Sequence, residues 1–293
     1  MLNLNIATTI KRALCLLLVL LLSSCSGLLF YPDKTMYQTP EILDLKYEDV
    51  YLPLSRDIKL HGWWLPSVGP AKGTVYFLHG NAQNISTHMM NVAWMAEAGY
   101  QVFMIDYRGY GRSTGIPVIP DVFDDIRSGF LYLLTREEVK QKPIFVFAQS
   151  LGASMSGYVF ATDPQLKQAV TAIMLDSAFT GYDEIGKDVA SRTWLTWLFQ
   201  YPVAWSMPSE YNLDNVIDEM SPTPLLILHS KEDQVIPFAH GQALYEKAQL
   251  PKAFFEYHGD HIAVFFNHNN RKTVLKYMQD QIDAQQNATT RNQ

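Results

Sequence analysis

The chain has 293 residues, of which 48% are hydrophobic, 13% aromatic and 18% charged. That is globular composition, and it excludes a disordered protein, a collagen-like repeat and a disulfide scaffold. With 23 basic against 29 acidic residues the net charge is −6 and no dense Lys/Arg patch occurs, so no nucleic-acid partner is expected. Only Cys15 and Cys25 are cysteines. They offer no disulfide framework and no cysteine metal site.

The first 24 residues read as a signal peptide. Lys11 and Arg12 precede an apolar run from Ala13 to Leu22, followed by Ser23, Ser24 and Cys25. A charged start, a short apolar stretch and small residues before a cleavage point make an export signal. The run is too short to span a bilayer of roughly 30 Å, unless an uncleaved anchor continues through Leu28, Leu29 and Phe30. Leu22-Ser23-Ser24-Cys25 resembles the lipobox of bacterial lipoproteins, which implies lipidation at Cys25. Ser26 follows the cysteine where an aspartate is absent. By resemblance to Gram-negative lipoproteins, this implies an outer-membrane location facing the periplasm, should the source have one.

Residues 25–46 are expected to form a tether and lead-in, and residues 47–293 one domain. Tyr47–Leu52 and Ile58–Leu65 have β-rich composition and suit an opening hairpin. Thr74–His79 is a short apolar strand, a helix covers about Ser86–Ala98, and Gln101–Asp106 is the next strand. Pro120 opens a helix whose early Asp121, Asp124 and Asp125 suit the positive end of its dipole. Ile144–Gln149, Val170–Leu175, Leu225–His229 and Ala253–Tyr257 continue the strands, and a helix over about Arg271–Ala284 closes the chain. Apolar strands alternating with helices predict an α/β fold with a mostly parallel sheet and helices on both faces. About forty residues between Phe179 and Pro222 supply no strand. They carry Trp194, Trp197, Phe199, Tyr201 and Trp205, and are expected to form a small helical cap, at about 179–222, that walls a pocket.

The chemistry centres on Ser150. The strand IFVF leads into Ala148-Gln149-Ser150-Leu151-Gly152 and then a helical stretch rich in small residues. A serine on a sharp strand-to-helix turn holds its hydroxyl above the sheet, and its neighbours two residues away must be small. Such a nucleophile needs a base and an orienting acid. Asp233, after LLILH, and His261, after AFFEY, follow in the required order. Asp176 is the alternative acid and His258 the alternative base. The N–H groups of Leu151 and Asn81 are candidate oxyanion donors, with Gly80 expected to let the Asn81 loop bend. His79 and His229 end strands and read as structural.

Five segments together carry a family resemblance: FLHGNAQNIS, DYRGYGRSTG, FAQSLGA, LDSAFT and SKEDQVIP. The chain resembles α/β-hydrolases of the Bem46-like and ABHD13/ABHD17-like serine hydrolase group, with Ala148 and Ala153 in place of glycines and GDH before the base. The resemblance implies the α/β-hydrolase fold and cleavage of an ester or thioester through an acyl-enzyme, with no cofactor and no metal. The expected partners are a small-molecule or lipid acyl ester as substrate and a membrane reached through the lipid anchor. A serine peptidase on small amides and a non-catalytic binding lipoprotein are the alternatives.

Overall fold

The computed structural model describes residues 29–192, 196 and 199–291. Cys25, the signal segment, Trp194 and Trp197 lie outside them. The strands are β1 (Tyr31–Pro32), β2 (Glu48–Pro53), β3 (Lys59–Leu65), β4 (Gly73–Leu78), β5 (Ala82–Gln83), β6 (Tyr100–Asp106), β7 (Ile144–Gln149), β8 (Ala172–Asp176), β9 (Leu225–Ser230) and β10 (Lys252–Tyr257). The α-helices are α1 (Ile85–Val92), α2 (Trp94–Glu97), α3 (Asp121–Thr135), α4 (Leu151–Thr162), α5 (Pro164–Ala169), α6 (Tyr182–Ser191), α7 (Gln200–Trp205), α8 (Phe238–Lys247) and α9 (His268–Arg291).

Eight strands form one sheet in the order β10-β9-β8-β7-β4-β6-β3-β2. The β2–β3 and β3–β6 pairs are antiparallel and the other five are parallel. Central strands such as β4, β7 and β9 are buried at every residue. This is why they read as unbroken apolar runs, whereas edge strand β2 alternates. Strand periodicity splits β4 cleanly: Tyr76 and Leu78 face one core with α3 and α4, while Val75 and Phe77 face the other with α1, α2 and α9. In α3, Val122, Ile126, Phe130 and Leu133 are buried at helical spacing against the sheet.

Several expectations are refined. The helix foreseen over Ser86–Ala98 is two helices interrupted at Ala93, and the closing helix is longer at both ends. Helix α8 lay in a stretch of mixed polarity with no start signal except Pro237. Asp125 is not a solvated dipole partner. It is buried and grips Arg108 through two guanidinium contacts of 2.7 and 3.0 Å to Oδ1. Asp121 adds a 3.0 Å ion pair to the same arginine. From Leu29 onward the lead-in belongs to the folded domain. Strands β1 and β5 pair in parallel, with Tyr31 opposite Ala82.

Candidate active site

Ser150 stands between β7 and α4 with φ 55° and ψ −123°. A non-glycine residue in that region costs on the order of 1–3 kcal/mol and must be held by its surroundings. The Ser150 N–H donates to the Asp176 carbonyl at 2.8 Å, and the Ser150 carbonyl accepts from the Ser154 N–H at 3.1 Å. The turn also brings α4 hard against β4. A Cβ on Gly152 would meet the His79 carbonyl oxygen at 2.2 Å, so only glycine fits there. Ala148, the other small neighbour, lies fully buried opposite Leu78.

Loops at the C-terminal ends of β9 and β10 converge on this serine. His261 Nε2 lies 2.9 Å from Ser150 Oγ, and His261 Nδ1 lies 2.7 Å from Asp233 Oδ2. The other Asp233 oxygen accepts from the N–H groups of Val235 and Ile236, each at 2.8 Å. Burial pushes the Asp233 carboxyl up, but the His261 hydrogen bond and charge and these two amides outweigh it. The acid is held below the usual carboxylate range.

The two alternatives are placed elsewhere. His258 is exposed and pairs with Glu232 at 3.0 Å, away from Ser150. Asp176 is fully buried, accepting from Tyr257 Oη at 2.8 Å and Gln149 Nε2 at 2.9 Å. Gln149 Nε2 also donates to the Ile262 carbonyl at 3.1 Å, so it ties the serine turn to the His261 loop.

Asn81 and Leu151 both line the cavity at Ser150. Their N–H groups donate to no acceptor among the described residues. Asn81 is held through its carbonyl, which accepts from the Tyr31 N–H at 2.8 Å and Tyr110 Oη at 2.7 Å. Tyr107 Oη fixes the His79 carbonyl at 3.0 Å, and Asp106 accepts from the Ile85 N–H at 2.9 Å. Sequence reasoning saw DYRGYG as a family mark without a task for its tyrosines. The structure makes both of them clamps on the 79–81 loop. The positive φ of this loop falls at Gln83, at 62°, and not at Gly80.

A cavity of about 620 Å³ opens above Ser150. Its wall is mainly apolar, with Ile185, Val203 and Met207 from the segment between β8 and β9, and Leu29 from the lead-in. Trp205 does not line it and is 81% exposed.

The family model described as Hydrolase_4, serine aminopeptidase S33, matches residues 69–221. The uncharacterized protein YfhR of Escherichia coli K12 is 32% identical over 242 residues, covering 80% of each chain. The chain belongs to the α/β-hydrolases. Human alpha/beta hydrolase domain-containing protein 17B is 29% identical over 182 residues, 62% of this chain and 57% of that one. The fold of this α/β-hydrolase is similar to that of a Pyrococcus furiosus esterase, with TM-score 0.68 and 21% identity over 85% of this chain and 96% of the esterase. The family match holds the Asn81 and Ser150 loops and stops before Asp233 and His261.

Burial lifts the Asp176 carboxyl from its ordinary 3.8 to about 6, against the pull of Gln149, Tyr257 and His261. The folded α/β-hydrolase therefore holds this proton more tightly than the unfolded chain. The stability it confers is full below about pH 4 and is lost as pH rises through about 6. Wild type minus Asp176→Asn, followed by urea unfolding, is expected to fall by up to roughly 3 kcal/mol across that window and stay flat above it. A difference that does not vary with pH contradicts this assignment.

Proposed function

We propose that this α/β-hydrolase is a membrane-tethered serine hydrolase that cleaves carboxylic ester or thioester bonds. The observation that carries the reading is the unbroken Ser150–His261–Asp233 relay, at 2.9 and 2.7 Å, at the floor of an apolar cavity. His261 Nε2 takes the Ser150 proton as Oγ attacks the acyl carbon, and Asp233 holds Nδ1–H and supports the imidazolium. The oxyanion forms between the N–H groups of Leu151 and Asn81, each such donor being worth roughly 2.7–4 kcal/mol. The imidazolium then protonates the departing alcohol or thiol. Water, deprotonated by His261, releases the acid and restores Ser150.

The fold is shared with a Pyrococcus furiosus esterase, while the matching family model is described as a serine aminopeptidase. Cavity chemistry favours the former. None of its described lining residues is acidic, so a free amino terminus finds no carboxylate to hold it. Tethering rests on Cys25 and the export signal before it, with the domain facing the periplasm from the outer membrane in a Gram-negative source. No helix among the described residues is long and apolar enough to cross a membrane.

p-Nitrophenyl esters of increasing chain length test the reading. Each methylene that enters the cavity is worth about 0.8 kcal/mol, so kcat/KM should climb roughly fourfold per carbon until the wall is reached. Val203→Trp, which narrows that wall, should move the break to shorter chains. A preference of the wild type for acetate over octanoate contradicts an acyl pocket.

A further inference from the structure

Trp205, Tyr201, Phe199, Val189 and Tyr31 are large apolar side chains left exposed. Phe199, Val189 and Tyr31 also line the cavity, so the exposed face is continuous with its mouth. On α7 the Tyr201 and Trp205 rings lie 6.4 Å apart. Contiguous apolar surface on this scale marks a contact site.

Two features of the face identify its partner. First, its chemistry is that of a bilayer interface. Trp and Tyr combine an apolar body with a polar edge, and long cations beside them reach for phosphate. Lys187 Nζ lies 5.3 Å from the Tyr201 ring centroid, and the Arg192 guanidinium donates to the Val235 carbonyl beside the mouth. The nearby carboxylates on α6 each have a partner in the domain: Asp188 with His240 at 3.1 Å, Asp183 with Asn212 at 2.7 Å, and Glu184 with the Thr180 hydroxyl. Second, the chain leads there. Leu29 lines the cavity only four residues after Cys25. Four residues span at most roughly 14 Å, so a lipid carried by Cys25 would be held close to this mouth.

We infer that the face bearing Tyr31, Val189, Phe199, Tyr201 and Trp205 docks on a phospholipid bilayer, with the cavity mouth opening onto it. The acyl substrate then enters from the lipid and not from water. Substrate entry rests on the hydrolase reading above, and docking only on its tethering at Cys25.

The test uses the full chain. No cysteine follows Cys25, so Trp205→Cys and Val68→Cys can each carry an environment-sensitive dye, with wild type treated in parallel as the blank. Val68 is exposed in the β3–β4 turn, at the opposite end of the sheet from Ser150. With vesicles of phosphatidylcholine and phosphatidylglycerol, the dye at 205 should shift to the blue and be quenched by spin-labelled lipid, while the dye at 68 stays water-like. Trp205→Ala should lower turnover of a vesicle-embedded ester about tenfold and leave a soluble ester within about twofold. Water-like emission at 205, with soluble esters still turned over, overturns docking and leaves the hydrolase reading intact. A blue shift that needs no vesicles and grows with protein concentration assigns the face to a second copy, and also overturns it. Lipid-buried dye at 205, alongside a wild type that cleaves no ester, supports docking and removes the hydrolase reading instead.

Discussion

Ser150→Ala should reduce ester turnover by roughly 10⁵–10⁶-fold while leaving the folded domain almost as stable as before. Among the described residues the hydroxyl makes one side-chain hydrogen bond, to His261 Nε2 at 2.9 Å. The turn itself is held by backbone bonds to Asp176 and Ser154 that alanine keeps. An alanine tolerates φ 55° about as poorly as a serine does, so little folding energy changes. Turnover of p-nitrophenyl butyrate beside a thermal melt checks both halves. Retained turnover means that another group attacks the ester. Lost turnover with a collapsed melt means that the hydroxyl is structural.

His261→Ala and Asp233→Asn should each lower kcat by roughly 10⁴-fold or more, with a much smaller change in KM. Alanine at 261 leaves no acceptor for the serine proton. Asparagine at 233 can turn its amide nitrogen toward His261 Nδ1, which favours the tautomer with its proton on Nε2 and leaves no lone pair there to accept the serine proton. His258→Ala should stay within about threefold of wild type, because His258 is a surface partner of Glu232. Steady-state kinetics on the three variants decide. A His258→Ala defect larger than that of His261→Ala would falsify the assignment.

The parts of this molecule that could be read from residues alone share one property: their signal is local in the chain. β4, β7 and β9 announce themselves because both faces are covered, leaving no polar interruption. Ser150 stands out because the turn it occupies demands small neighbours at 148 and 152. What stayed hidden depends on partners far along the chain. Asp125 looks like any acid near a helix start until Arg108 folds against it. Tyr107 and Tyr110 show a purpose only once the 79–81 loop lies beneath their hydroxyls. The β1–β5 ribbon is two residues wide and has no periodicity to detect. His258 and His261 sit on the same short loop, and only the direction of the chain past Gly259 separates them. Trp205 was expected in the cavity on composition alone. Its side of a six-residue helix cannot be read from the sequence around it, and it faces outward.

Covalent labelling tests whether Ser150 forms the acyl-enzyme. The full chain is treated with a fluorophosphonate, digested, and the modified peptide sequenced by mass spectrometry. A fluorophosphonate is attacked by an activated serine and loses fluoride, leaving a phosphonylated Oγ. A single adduct per chain is expected, on Ser150, and its formation should slow by orders of magnitude in His261→Ala. An adduct on any other residue, or an unmodified Ser150 in a folded chain, contradicts it.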